Sequence, residues 1–302
     1  MDRTQFKNTT IVPVDFMESS HVALEHAATI ANVVEHKHQI TLLHILEGVS
    51  LKEPYFEGSE LPENTNHALM IEGAELRIKK LIENTFSETE HVNYIIASGK
   101  VYSRVAELAK ELDSEMIVMG SHGSNSTFQG LLGSNASRVI QLAPCPTVVI
   151  RGKHVGEGYK KIVLPLDTSY ETKQKVNWAR TVGKYFNAHI MIMTVSQDDE
   201  SVEKRVRNNI NQVATFLKDA GLETSEHYLA GEEGNWADQT LKFARDNDAD
   251  LIMIMTQQEK SISEYVFGTY AQQIVSKSVI PVMAINPRAG VGNKFAYRGI
   301  GG

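Results

Sequence analysis

The chain has 302 residues, 42% of them hydrophobic and 22% charged, which at roughly 150 residues per domain suits two ordinary globular domains. That composition sits at the globular average and excludes a disordered chain, a collagen-like fibre and a disulfide scaffold. A formal net charge of −7, with no dense Lys/Arg cluster, sets nucleic acid and anionic membrane surfaces aside as principal partners.

Residues Met1 to Asn8 lack the apolar core of a signal peptide, and no apolar run approaches the ~18 residues needed to cross a bilayer. A cytoplasmic location with no membrane partner is therefore expected. In chain order, short β-rich runs alternate with amphipathic helical patterns. The first half reads as strands near 9–15, 39–46, 91–97, 116–121 and 146–151, with helices near 19–35, 66–86, 101–112 and 134–142. Ala23, Ala27, Ile30, Ala31 and Val34 keep the i, i+3, i+4 spacing of one buried helix face. The stretch from Glu47 to Asn66 has no sustained period and carries Pro54, Gly58 and Pro62, so it reads as a long loop. Cys145 is the single cysteine; lying between two prolines beside an apolar run, it reads as a buried inert thiol. The second half repeats the alternation, with strands near 161–167, 189–196, 224–230, 250–256 and 281–286 and helices near 171–186, 202–220, 235–247 and 268–277.

The repeat can be matched position by position. Ile11-Val12-Pro13-Val14-Asp15 returns as Val163-Leu164-Pro165-Leu166-Asp167, at an offset of 152 in the numbering. Glu115 to Met119 returns as Asp250 to Ile254, and Pro146 to Ile150 as Pro281 to Ile285, both at an offset of 135. The difference of 17 between the offsets places extra residues in the first copy, within 47–66. Strands such as Ile117 to Met119 and Leu251 to Met255 are apolar on both faces, which suits a parallel sheet between helix layers. The expected architecture is α/β: two tandem doubly wound, Rossmann-like units, each with a mainly parallel five-stranded sheet. Their expected limits are 1–152 and 159–288, with a flexible tail over 289–302.

In such folds ligands sit beyond the carboxyl ends of the strands, where the strand order reverses. Two features fall there. Asp15 closes the first strand after Pro13, and two readings stay open: a carboxylate for ribose hydroxyls or a cation, or a turn residue before the next helix. Residues 120–134, from Gly120-Ser121-His122-Gly123 to Gly130-Leu131-Leu132-Gly133-Ser134, run from the fourth strand into a helix. Gly120 and Gly123 permit positive φ and expose backbone N–H groups, while Gly133-Ser134 opens a helix whose free amides attract an anion. This is neither a Walker loop nor the Gly-x-Gly-x-x-Gly turn after a first strand. A phosphate cradle and a glycine-rich surface loop with Ser134 as a plain N-cap are both compatible with these residues.

Gly120-x2-Gly123-x9-Gly133-Ser134, together with Pro13-x-Asp15 and Ala143-Pro144-Cys145-Pro146 before the fifth strand, resembles the ATP-binding branch of the universal stress protein family, as a tandem pair covering nearly the whole chain. The resemblance implies a nucleotide pocket in the first half. Pro13 and Asp15 would lie on the ribose or adenine side, and the backbone of Ile45 against adenine. Gly120, Gly123, Gly133 and Ser134 would take the phosphates, joined by the Asn135 side chain. It implies ATP as the ligand, Mg²⁺ accompanying it without a side-chain metal cluster, and His122 facing solvent or phosphate rather than acting as a catalyst. It also implies that Thr147 to Arg151 pairs with Val282 to Asn286 as an internal pseudo-dimer, with association of two such chains into a homodimer left open.

The second copy departs from the pattern. At the offset of 135, Gly120 falls on Met255, Gly123 on Gln258 and Gly133-Ser134 on Gly268-Thr269. A side chain at a left-handed position costs about 1–2 kcal/mol, and these would also occupy phosphate space. Asp167, Gly268 and Thr269 are what remains for a weaker or different ligand. The resulting expectation is a regulatory stress-response protein whose first half holds ATP and whose second half is a scaffold or partner surface. No general base or P-loop lysine is recognisable, so efficient hydrolysis is not expected; slow hydrolysis or self-phosphorylation stays open. An adenylating enzyme would carry Ser-Gly-Gly-x-Asp-Ser after the first strand, where this chain has Val14-Asp15-Phe16-Met17-Glu18-Ser19. An interaction module independent of ATP is the remaining alternative. Protein purified from cells and denatured should release adenine nucleotide, and Gly123→Val should abolish the release while circular dichroism stays unchanged.

Overall fold

A computed structural model describes residues 6, 9–33, 39–121, 132–151, 158–167, 172–195, 199–230, 236–256 and 269–287. The first half runs β1 (Thr9–Pro13), α1 (Glu18–Val33), β2 (Gln39–Leu46), β3 (Tyr55–Phe56), α2 (Thr65–Thr85), β4 (Val92–Ser98), α3 (Val101–Glu111), β5 (Met116–Gly120), α4 (Ser134–Leu142) and β6 (Thr147–Ile150). The second runs β7 (Lys161–Pro165), α5 (Thr172–Phe186), β8 (His189–Val195), α6 (Glu200–Asp219), β9 (Thr224–Leu229), α7 (Trp236–Asp246), β10 (Leu251–Met255), α8 (Thr269–Lys277) and β11 (Val282–Ile285). This is the mixed α/β, doubly wound arrangement expected, repeated twice.

Local chemistry explains the elements. In α6, Val206, Ile210, Val213, Ala214 and Leu217 form one buried stripe at helical spacing, and Asp199 caps the start by accepting from the Ser201 and Val202 N–H groups. The strands bury both faces. Val12, Leu42 and Val118 join a core on one side of the sheet, whereas Ile11, Leu43 and Ile117 join another on the opposite side, as the period of two requires.

Strand order is β3-β4-β2-β1-β5-β6-β11-β10-β7-β8-β9. Each half thus reverses direction once, between β1 and β5 and between β7 and β10. The sheets of the two halves join edge to edge into one continuous eleven-stranded sheet. The junction is antiparallel, with Thr147, Val148 and Val149 opposite Ala284, Met283 and Val282. A correction concerns 47–66, expected to be loop throughout. Tyr55 and Phe56 form an antiparallel edge strand against Ile96 and Ile95, and Phe56 packs edge-on against Phe6 at 5.0 Å between centroids. A strand this short cannot show any period, which is why it reads as loop.

The halves also meet through side chains. Tyr159, fully buried just ahead of β7, shares a hydrogen bond of 2.7 Å with His26 Nε2 on α1 and packs against Phe186 of α5 at 5.0 Å. Tyr159→Phe should lower stability by about 1 kcal/mol, the usual net worth of a hydrogen bond. Tyr159→Ala, which also empties the ring's volume, should cost about 3–5 kcal/mol. Chemical denaturation measures both, and equal effects would mean that the hydroxyl rather than the ring supplies the stability.

Candidate functional site

Proline shapes the crevice. Val14 N–H donates to Leu43 O at 2.9 Å, so the residue before it, Pro13, turns its nitrogen towards β5. Lacking an N–H, it can extend no ladder there. The β1–β5 pairing accordingly covers only Thr10 and Ile11, and the two strands part at their carboxyl ends. Beyond that opening lies a cavity of about 400 Å³, within the usual range for small-molecule sites.

Pro13, Asp15, Ile45, Gly120, Gly133, Ser134 and Asn135 all line this cavity. Gly123 and His122 lie outside the described residues, as does the expected tail from Ala289. Asp15 plays the turn role: its Oδ1 accepts from the Met17 N–H at 3.0 Å, ahead of α1, while the residue also forms part of the cavity wall. Two expectations need correction. Gly120 does not have positive φ. It is required for room, since a Cβ there would stand 2.6 Å from Ser19 O and 2.9 Å from Ser19 C. Ser134 is not the N-cap; Gly133 takes that place with extended backbone, and Ser134 is the first helical residue. The first-turn amides of α4 have no intrahelical acceptor, and Ser134, Asn135 and Ala136 carry them along the cavity wall. Among the described residues the cavity has the carboxylates of Asp15 and Glu47 but no lysine or arginine.

His44 also lines the cavity and was not foreseen. Its Nδ1–H donates to Val14 O at 2.8 Å, and its ring rests against Phe16 at 4.6 Å. Burial holds its pKa below the ordinary histidine value, with the nearby Arg77 cation acting in the same direction.

Among the described residues, the corresponding place in the second half is nearly filled. Its cavity measures about 20 Å³, bounded by Asp167, Thr194, Trp236, Thr240 and Tyr270 among others, room for about one water. At the same offset of 135, Trp236 answers to Val101, Tyr270 to Asn135 and Met255 to Gly120, so large side chains take the place of small ones at matched positions. The Tyr270 hydroxyl is fixed 3.0 Å from Thr240 Oγ1, and Met255 is fully buried. Gly268 lies outside the described residues; Thr269 begins α8. Carrying the repeat through Val101 and Asn135 is the signal that finds both aromatic plugs.

Lys175 on α5 occupies the position that Ala23 holds in the first copy, at the offset of 152. It is fully buried, and among the described residues its Nζ has no hydrogen-bond partner. Desolvation pushes its pKa down to about 8, partly opposed by Asp167.

The fold and the crevice define a tandem of doubly wound α/β units with a ligand-sized opening at the strand-order reversal of the first half. The model of the universal stress protein family matches residues 8–151 and again 158–286, and the chain belongs to that family. Universal stress protein G of Salmonella typhimurium is 32% identical over 148 residues, covering 47% of this chain and 98% of its own length. A universal stress protein from Archaeoglobus fulgidus superposes over 93% of this chain and 99% of its own with a TM-score of 0.72 at 19% identity. A functionally unknown protein from Pseudomonas aeruginosa PAO1 covers 95% of each chain with a TM-score of 0.61 at 18% identity. The last two show the fold across the whole tandem. Among the described residues, no helix is long and apolar enough to cross a membrane, and no group of three His, Cys, Asp or Glu could hold a metal ion.

The folded chain releases the Lys175 proton near pH 8, whereas the unfolded chain keeps it to about 10.4. Stability should therefore rise with pH across that window. Lys175→Met should remove the rise and stabilise the protein at pH 7 by on the order of 1–3 kcal/mol, because a buried charge without a hydrogen-bonding partner is lost. Urea denaturation at pH 7 and pH 9.5 tests this; a destabilised variant at pH 7 would refute it.

Proposed function

We propose that the chain is a cytoplasmic ATP-binding regulatory protein, with one nucleotide in the first half and a second half that serves as scaffold or partner surface. The observation that carries this reading is the contrast between matched places among the described residues: about 400 Å³ beside Gly120 and the α4 N-terminus, against about 20 Å³ where Trp236 and Tyr270 stand. In this reading the phosphates lie on the first-turn amides of α4, where the helix dipole favours an anion, with Ser134, Asn135 and Gly123 alongside. Gly120 gives the close approach that a side chain would block. Asp15 and Pro13 flank the ribose, and the Ile45 backbone faces adenine. Mg²⁺ arrives with the phosphates. With no lysine or arginine on the described wall, charge building on a transferred phosphoryl group has no cation from that wall to stabilise it, so the reading is of a binder. The antiparallel β6–β11 junction is read as the internal counterpart of a dimer contact.

Calorimetry with MgATP should give one site per chain. Asn135→Tyr, which copies the plug of the second half into the first, should abolish that heat while leaving the far-ultraviolet spectrum unchanged. Two sites per chain, or full binding by Asn135→Tyr, would overturn the asymmetric reading.

A further inference from the structure

Besides the Tyr159–His26 hydrogen bond, the second half reaches into the first at a polar point beside α4. Asn286, the residue after β11, presents its side-chain amide to the C-terminal end of α4, with Nδ2 at 2.7 Å from Ile140 O, 2.9 Å from Ala143 O and 3.3 Å from Gln141 O. Carbonyl oxygens only accept, so the amide nitrogen must face them and Oδ1 must face the other way. There Oδ1 accepts from the Thr256 hydroxyl at 2.6 Å. Thr256 is itself buried at the end of β10, and its N–H is held by Ile285 O at 3.0 Å. The amide is thus fixed from behind before it touches α4.

The tie has a counterpart. Arg151, which the offset of 135 matches to Asn286, donates from its guanidinium to Ser276 O near the C-terminal end of α8. Ser276 is in turn the match of Gln141 at that offset. Each half therefore holds the fourth main helix of the other by the residue that follows its last strand. Among the described residues, α4 begins at a ligand-sized cavity, whereas Tyr270 in the first turn of α8 borders one of about 20 Å³.

A helix of nine residues has too few turns to hold itself in water, so its direction is set by what holds its side and its ends. On the side, Ala136 and Val139 belong to a first-half core with Val105 and Leu108, while Ile140 belongs to the buried cluster that holds Val282 and Ala284 of the second half. At the far end the last carbonyls are held by Asn286. The rod between Ser134 and Leu142 is roughly 12 Å long at 1.5 Å per residue, and a tilt at one end moves the amides at the other.

We infer that Asn286 is a positioning residue for the first-half site: through α4, the second half sets where the cradle amides point. This rests on the nucleotide reading above and assigns the second half a part in it that bulk scaffolding would not have. The test compares Asn286→Ala with Arg151→Ala, its matched counterpart, in the full chain. Hydrogen exchange of the α4 amides without nucleotide is one arm, and calorimetry with MgATP the other.

Asn286→Ala should speed exchange at the hydrogen-bonded α4 amides from Ser137 to Gln141 and weaken MgATP by about fivefold or more, a usual size for coupling between sites. Arg151→Ala should lower the melting temperature while leaving MgATP affinity within about twofold, because its partner helix, α8, begins at the filled cavity. Unchanged α4 exchange in Asn286→Ala, or equal loss of MgATP affinity in both variants, overturns the inference, since a merely structural role predicts the second result. If the wild-type chain binds no MgATP, the nucleotide reading fails, and the exchange arm alone then decides whether Asn286 positions α4.

Discussion

Everything in the candidate site follows from one missing donor. β1 cannot hold β5 past Ile11, because Pro13 turns towards β5 a nitrogen that carries no hydrogen. The sheet opens where its strand order reverses, and α1 and α4 converge on the gap. The approach of α1 is so close that β5 must end in glycine: any side chain at 120 would meet the Ser19 backbone. Pro165 repeats the device in the second half, where β7 and β10 pair only through Ile162 and Val163. The gap is common to both halves; what fills it differs.

That difference turns on volume rather than charge. Asn135 and Val101 leave space in the first half, and Tyr270 and Trp236 occupy it in the second. Lys175 adds a buried cation where the first half has Ala23. Burying an ammonium without a hydrogen bond is costly, yet the second half is otherwise tightly packed, with Ile210, Leu217 and Ile274 fully inside. Among the described residues, the second half thus keeps the fold with side chains in place of the crevice.

Most of the fold was legible in the sequence because strands such as Ile117 to Met119 are apolar on both faces and recur at a fixed offset. β3 was not legible, since so short a strand carries no period and its pairing partners, Ile95 and Ile96, come only after the whole of α2. Gly120 was legible as a position and misread as to cause, because composition shows a missing Cβ without showing whether dihedral or space demands it. Tyr270 and Trp236 look like ordinary core aromatics until matched with Asn135 and Val101. Asn286 could not be found by pattern at all: its acceptors are the backbone carbonyls of Ile140, Gln141 and Ala143 in the other half, and backbone leaves no trace in composition.

The antiparallel junction of Thr147–Ile150 with Val282–Ile285 sits inside a single chain, and this changes what substitution can do. In an assembly of identical subunits every replacement appears twice, so a side chain that blocks one crevice blocks its mate, and a residue that braces one helix braces both alike. Covalent linkage lifts that restriction. Arginine and asparagine can perform the same reciprocal task with different charge, glycine and methionine can end equivalent strands, and one crevice can close while its neighbour stays open, all at a fixed one-to-one ratio that no dilution can disturb.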